Sequence, residues 1–366
     1  MELIRVGIIG MGMIGRVHLD ALRRIPGVVV TALCDSSEEK LQTLQAAFGI
    51  KHVCTDWQEL VNLPDVDAIH NCTPNHMHHQ VNEAALRAGK MVFSEKPLGI
   101  NPQETGEIAR LAQETGLPAG VNFCYRYYPM VQWMKQLISQ GEIGEVRAVH
   151  GHYLQDWLMF AEDFDWRVDS SIGGSLRALA DIGSHWLDLA EYVTGLKVER
   201  VFGDVATIHP QRKNTSTGAL VDVDTDDWAT ALLQFSGSVK GNFTVSQISG
   251  GHKNDFHIEV VGSKASLRWS QENPEFLLIG KRGGVNQLQY KEAELAPELF
   301  QEFSSFPSGH PEGYGDCVKN SIQNFYACAK DNRNDYPTFE LGHRITQLTT
   351  AIAQSSKEET WVTCTF

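Results

Sequence analysis

The sequence predicts an α/β fold: an N-terminal domain on a parallel sheet, then a C-terminal α+β domain with a large, mostly antiparallel open sheet. Three observations carry this. The first 120 or so residues alternate strand-like and helix-like runs, a pattern that builds a parallel sheet with helices on both faces. A glycine triplet, Gly10, Gly12 and Gly15, sits between the first strand run and the first helix run. After about residue 122 the rhythm changes, and residues 198–285 become rich in alternating β-prone runs.

Strand runs are expected near 3–9, 28–34, 66–72, 91–94 and 118–121, and helices near 13–25, 37–47, 76–88 and 101–115. The glycine triplet has G-x-G-x-x-G spacing. Its members serve a tight turn, close backbone approach to a pyrophosphate, and close helix–strand contact. The following helix, opening with Met13 and Ile14, aims its free N–H groups and positive dipole end at that pyrophosphate. Asp35 lies about 20 residues past Gly15, where a carboxylate accepts a ribose hydroxyl. Strand, triplet, helix, strand and acid together predict a dinucleotide-binding domain of Rossmann type. Asp35 also predicts NAD over NADP. A 2′-phosphate about 4 Å from a carboxylate is repelled by about 4 kcal/mol at an effective dielectric near 20. The next residues, Ser36, Ser37 and Glu38, bring no neutralising cation.

Ligands of such sheets bind outside the carboxyl ends of the strands. Gly10–Gly15, Asp35, Thr73–His78 (with Pro74 and Asn75) and Glu95-Lys96-Pro97 all fall at those ends. Lys96 is placed to hydrogen-bond a reacting oxygen and stabilise developing negative charge; the bland alternative is a surface lysine. Asn75 is expected to cap the helix that follows it. His76, His78 and His79 cluster without a carboxylate or cysteine at matching spacing, so no metal site is expected.

The second domain begins with a helix near 129–139 and a strand near 145–154. A helix near 176–194 follows Gly173-Gly174. In it Leu179, Ile182, Trp186, Leu189 and Val193 recur at helical spacing and define a buried stripe. Asp181, His185 and Asp188 share the opposite edge at i, i+4 spacing. An imidazole, with an ordinary pKa near 6.5, can take a hydroxyl proton there, with Asp181 as its partner; spacing alone favours a plain solvated face. Hairpins are expected around Ser236–Ser238 and Gly262–Lys264, a long polar loop over 207–225, and a closing helix near 340–355 that packs back on the first domain. The predicted boundary gives domains at 1–121 and 122–366.

Composition excludes several classes. The chain has 366 residues, 42% hydrophobic and 21% charged, which is globular. A net charge of −14 argues against a nucleic-acid surface or a polybasic anchor. Strand signal starts at Leu3, no apolar run reaches about 18 residues, and seven scattered cysteines lack C-x-x-C spacing. A cytoplasmic protein is the expectation.

The chain resembles the glucose–fructose oxidoreductase/inositol dehydrogenase (Gfo/Idh/MocA) family over essentially its whole length. The likeness rests on the glycine triplet, Thr73-Pro74-Asn75-x-x-His78, Ala88-Gly89-Lys90 leading to Glu95-Lys96-Pro97, Trp166-Arg167, Asp181-Ile182-Gly183-Ser184-His185 and Pro337–Glu340. It implies an NAD-dependent oxidoreductase acting on a secondary alcohol of a sugar, cyclitol or derivative. Lys96 and His185 would be its catalytic pair and Asp181 its substrate-binding or relay acid. It implies Tyr125, Arg126, Gln155, Asp156, Trp157 and Arg167 on the substrate side, and a homodimer or homotetramer. The chain departs from the family in a longer spacer, Gly174–Ala180, before the motif acid. Two other readings remain: a redox-neutral enzyme that retains NAD and cleaves glycosides by transient oxidation, and a non-catalytic NAD-binding regulator.

Overall fold

The computed structural model describes residues 3–215 and 217–366. By its contacts the chain divides into two units. One comprises the residues up to Cys124 together with Tyr314–Thr346; the other is Tyr125–Gly313 with Gln347–Phe366. The sequence pattern assigns everything after 121 to the second domain, whereas 314–346 belongs with the first unit.

The first unit is a six-stranded parallel sheet. Its strands are β1 (Ile4–Ile9), β2 (Val28–Cys34), β3 (His52–Cys54), β4 (Ala68–Asn71), β5 (Met91–Ser94) and β6 (Ala119–Val121), in the order β3-β2-β1-β4-β5-β6. The order reverses beside β1, the switch point at which such sheets bind ligands. The flanking helices are α1 (Met13–Arg23), α2 (Glu38–Phe48), α3 (Trp57–Val61), α4 (His78–Arg87) and α5 (Pro102–Thr115). Their ends follow local chemistry. The Ser37 side chain accepts from the Lys40 amide to start α2, and Asn101 does the same for Glu104 in α5, where Pro102 occupies the first turn. Asn75 does not cap α4 as expected. It opens a short 3₁₀ turn, Asn75–Met77, and Met77 takes the cap position. Strand β3 and the first-unit helix Tyr314–Lys330 have no counterpart among the expected elements.

The second unit is built on a nine-stranded sheet. In chain order the strands are β7 (Val146–Leu154), β8 (Val198–Ala206), β9 (Gln211–Lys213), β10 (Leu220–Asp222), β11 (Trp228–Phe235), β12 (Lys240–Ser246), β13 (Asp255–Gly262), β14 (Ser266–Ser270), β15 (Phe276–Gly280), β16 (Gln287–Tyr290) and β17 (Val362–Thr363). The sheet runs β16-β15-β14-β13-β7-β12-β11-β8-β17, with β9 and β10 paired separately. The β12/β7 pair is parallel, and the other pairs of the sheet are antiparallel. The hairpins at 236–238 and 262–264 form as expected. The stretch 207–225 is not a plain loop: β9 and β10 pair antiparallel within it. It is pinned by Arg212, fully buried against Asp227.

The remaining helices are α6 (Pro129–Ser139), α7 (Ser170–Gly173), α8 (Ser184–Thr194), α9 (Pro297–Phe303), α10 (Tyr314–Lys330) and α11 (Phe339–Glu358). Helix α11 belongs to the first unit through Thr346 and to the second beyond it. In the first unit, His343 Nδ1 meets the Thr105 hydroxyl at 2.9 Å. The stripe Leu179, Ile182, Trp186, Leu189 and Val193 is buried as expected, but so are Leu187, Asp188, Ala190 and Glu191. Helix α8 is therefore buried all round, and the solvated face suggested by spacing does not exist.

Candidate active site

Four sequence motifs start within two residues of the carboxyl ends of β1, β2, β4 and β5. Gly10 has φ +92°, and a Cβ there would lie 2.4 Å from the Cys72 carbonyl oxygen. A Cβ on Gly15 would lie 1.9 Å from the Gly10 oxygen, so only glycine lets α1 come this close to the β1 turn. At Gly12 a Cβ would instead enter open space. Gly12 is also the N-cap of α1 and adds no side chain of its own, so the Met13, Ile14 and Gly15 amides at the positive helix end face outward. This cradle fits a pyrophosphate.

Asp35 closes β2. Its Oδ2 accepts from the Met11 amide at 2.8 Å, and its Oδ1 from the Ser37 amide at 3.0 Å and from Lys40 Nζ at 2.9 Å. Burial works to raise its pKa, but these three donors outweigh it and hold the carboxyl below its usual range. Lys40 corrects the sequence reading, which found no cation beside Asp35. One turn into α2, it returns to the acid in space. Asp35 remains an ionised acceptor suited to a ribose hydroxyl.

The Thr73 hydroxyl donates to Asn71 Oδ1, and a buried chain continues from Asn71 through Asn82 to Ser94. His78 is a strut and not a ligand-facing group. Its Nδ1 lies 2.7 Å from the Pro97 carbonyl oxygen and its Nε2 2.9 Å from that of Thr73, and burial lowers its pKa. The ring thus ties the loop after β4 to the loop after β5. Lys96 is half-buried, and the Lys96-Pro97 peptide is cis.

Glu95, beside Lys96, is the end of a buried polar chain that sequence reasoning missed. Burial pushes its pKa up, but hydrogen bonds from His18 and Asn122 and the charge of Lys96 bring it down to about 2. The ionised carboxylate can only accept, so the His18 nitrogen that faces it carries a proton. His18 Nε2 donates to Glu95 Oε1 over 3.0 Å, and the second nitrogen of the same ring meets His70 Nδ1 at 2.9 Å. His70 Nε2 lies 2.8 Å from the Tyr326 hydroxyl oxygen. Burial and the neighbouring His18 keep His70 neutral.

In the second unit, residues Leu179–Gly183 form a π-turn that runs directly into α8. Such wide turns are rare and concentrate at functional sites. This one holds the motif acid, and α-helical i, i+4 spacing does not carry through it from Asp181 to His185. His185 is buried at 5% exposure, with the Tyr125 ring edge-on to it at 4.7 Å between centroids. Asp181 Oδ2 accepts from Gln247 Nε2 at 2.9 Å, and Arg167 Nε stands 3.9 Å from the same oxygen.

Beside His185, Tyr125 and Tyr153 close a hydrogen-bonded ring with Asn254. The Tyr153 hydroxyl donates to Asn254 Oδ1 at 2.6 Å, Asn254 Nδ2 donates to the Tyr125 oxygen at 3.1 Å, and the two hydroxyls are 2.6 Å apart. Gln155 Nε2 also donates to Asn254 Oδ1, and Trp157 Nε1 donates to Gln155 Oε1. Tyr125, Gln155 and Trp157 thus form one connected patch with Asn254, a residue that no sequence motif singles out.

Three expected substrate residues have protein partners. Arg126 is buried and donates twice to Asp188, at 2.8 and 2.5 Å, while stacking on Tyr192. Asp188 is therefore its structural counter-ion. Asp156 pairs with Lys253 at 2.6 Å and accepts from the Gly251 amide. Arg167 lies over the Trp166 ring and donates to Asp165.

Two family models match: the GFO/IDH/MocA oxidoreductase family with NAD-binding Rossmann fold over residues 4–123, and the GFO/IDH/MocA C-terminal domain over 131–268. The chain belongs to the GFO/IDH/MocA oxidoreductase family. Among its relatives is the levoglucosan dehydrogenase of Pseudarthrobacter phenanthrenivorans, 26% identical over 395 residues, covering 99% of this chain and 98% of that protein. The myo-inositol 2-dehydrogenase of Thermotoga maritima is 27% identical over 264 residues, covering 72% of this chain and 74% of its own. A solved levoglucosan dehydrogenase complex with NADH and L-sorbose superposes with a TM-score of 0.93 at 25% identity, over 100% of this chain and 99% of that one. This family member is an NAD-binding oxidoreductase whose first unit is the Rossmann domain. Among the described residues, no helix is long and apolar enough to cross a membrane.

Proposed function

We propose that this oxidoreductase oxidises a secondary alcohol of a sugar, cyclitol or derivative, using NAD in preference to NADP. The observation that carries the reading is the buried imidazole of His185, which follows the π-turn bearing Asp181 and lies beside the rings of Tyr125 and Tyr153, whose hydroxyls join Asn254 and Gln155 in one hydrogen-bonded network. Neutral hydrogen-bonding groups and aromatic faces suit a polyol. Relatives named for levoglucosan and myo-inositol support the same substrate class.

His185 accepts the hydroxyl proton at a ring nitrogen. Lys96 donates a hydrogen bond to the same oxygen and stabilises the charge that develops there. Asp181 orients the imidazole or a neighbouring hydroxyl. Gly10, Gly12, Met13, Ile14, Gly15 and Asp35 hold the dinucleotide, with Thr73, Pro74, Asn75 and Glu95-Lys96-Pro97 lining the strand ends beside it. Bound NAD supplies the hydride acceptor.

The experiment is a thermal-shift screen of sugars, cyclitols and sugar acids with NAD present, followed by NADH formation on the hits. His185→Ala and Lys96→Ala should each lower kcat by about 10²–10⁴ with little change in NAD affinity. Near-normal turnover in either variant refutes its role. Equal rates with NAD and NADP would refute the cofactor preference. The reading extends to a cytoplasmic homodimer or homotetramer; a monomer by light scattering would refute the assembly.

A further inference from the structure

We infer that Gln247 is a positioning residue for Asp181, and that with Arg177 it fixes where that carboxylate points and keeps it charged. The inference deepens the proposed function, since it rests on Asp181 taking part in the reaction.

Arg177 lies in the spacer where the chain departs from its family pattern, and its side chain has 0% exposure. It is held from several directions. Its Nη2 donates to Asp227, its Nε to the Thr225 hydroxyl at 3.3 Å, and its backbone amide to Asp226 Oδ1 at 2.6 Å. Asp226 Oδ2 also takes the Leu179 amide at 2.7 Å, so this acid anchors the start of the π-turn itself. Asp227 is in turn bonded by Arg212 and by the Ile208 and His209 amides. The guanidinium has little freedom to move.

Its remaining arm decides the geometry at Asp181. Arg177 Nη1 donates to Gln247 Oε1 at 3.0 Å, and Gln247 Nε2 donates to Asp181 Oδ2 at 2.9 Å. Gln247 is fully buried just past the end of β12, and its backbone amide is tied to the Asp227 carbonyl. A guanidinium can only donate and a carboxylate can only accept. Only one of the two amide orientations satisfies both neighbours. The flipped amide would set N–H against N–H at Arg177 and oxygen against oxygen at Asp181. The buried cluster therefore imposes a direction on Gln247, and Gln247 passes a donor to Asp181. Donation to a carboxylate favours its charged form. It also occupies Oδ2, which fixes the turn of the carboxylate about its own bond. The charged and titratable groups placed near Asp181 include Arg167 at 3.9 Å, His185 on the following helix, and Arg177 with Asp226 and Asp227 behind the amide.

The test needs no substrate. The stability difference between each protein and its Asp181→Asn partner, measured by urea denaturation across pH, reports where Asp181 titrates. It is measured in the wild type, in Gln247→Leu and in Gln247→Glu. Replacing the donor by a carboxylate should move the Asp181 transition upward by at least one pH unit, and removing it should move it upward by less. A loss of packing alone would lower stability at every pH without moving the midpoint. The same midpoint in all three backgrounds overturns the inference. The kinetic arm separates it from the underlying reading. If Asp181→Asn keeps full turnover on the polyol hits, Asp181 has no part in the reaction, whatever the titration shows. If Asp181→Asn is inactive and Gln247→Leu is neither shifted in pH nor slowed, Gln247 has no positioning role and the reading of Asp181 stands.

Discussion

Changing Glu95 to glutamine removes the charge that organises the buried polar chain of the first unit. Folding lowers this carboxyl from an ordinary 4.5 to about 2. A lowered pKa means that the native state favours the ionised form. The contribution is fully present above about pH 4.5 and is lost as pH falls toward 2. Its size is about 2.5 pH units at about 1.4 kcal/mol each, or about 3 kcal/mol at neutral pH. The Glu95→Gln side chain would keep an acceptor for His18 and Asn122, but its NH₂ group would face the Lys96 N–H, which in the wild type donates to Oε2 at 3.3 Å. Urea denaturation of wild type and Glu95→Gln, followed by far-UV circular dichroism, should show the wild type more stable by about 3 kcal/mol at pH 7. That gap should shrink by about 2 kcal/mol at pH 3, because the other acids titrate alike in both proteins and cancel. A gap that stays constant from pH 6 to pH 3 would mean that Glu95 is not held ionised, and the assignment of His18 Nε2 as its donor would fall with it.

Two further outcomes follow from the same geometry. Asp188→Leu leaves the Arg126 guanidinium buried without its counter-ion and should cost about 3–5 kcal/mol, while Arg126→Met/Asp188→Leu recovers most of that; equal losses in single and double variants by chemical denaturation would refute the coupling. Gly12→Ala should keep the wild-type melting temperature and weaken NAD binding at least tenfold by calorimetry, whereas Gly15→Ala, with its Cβ against the Gly10 oxygen, should lower the melting temperature itself; the reverse pattern would show the cradle misread.

The first unit was legible because its signals are local. Buried parallel strands read as apolar runs, and the motif residues follow those runs at short distance. What escaped detection had a weak local signature. Strand β3 is three residues long and half-exposed. Helix α10 carries polar residues such as Lys319, Asn320 and Ser321 inside its buried surface, which blurs its apolar period. The hairpin β9/β10 lies in a polar stretch because it is held largely by Arg212, which bonds Asp227 and the carbonyls of Leu158, Phe160 and Asp163, with Val223 packed on Leu158 and Val168 beside it.

Residue types at the site could be read from sequence, but their partners could not. Lys40 reaches Asp35 across one helical turn, yet Arg126 finds Asp188 across 62 positions and Arg177 finds Gln247 across 70. Helical spacing put Asp181, His185 and Asp188 on one face. That inference assumed an α-helix throughout and water on one side, and the π-turn and the all-round burial of α8 remove both assumptions. The consequence is chemical. Asp188, with the same side chain as Asp181 seven residues earlier, is consumed by a bidentate cation. Asp181 receives a neutral amide on one oxygen and holds its nearest guanidinium at 3.9 Å. A buried acid paired on both oxygens with a guanidinium serves as that cation's counter-ion, while a neutral amide donor at one oxygen favours the charged form without cancelling it. The division of labour between the two aspartates is therefore set by which partners the tertiary fold brings to each, and it is at Gln247 that this division can be undone by one substitution.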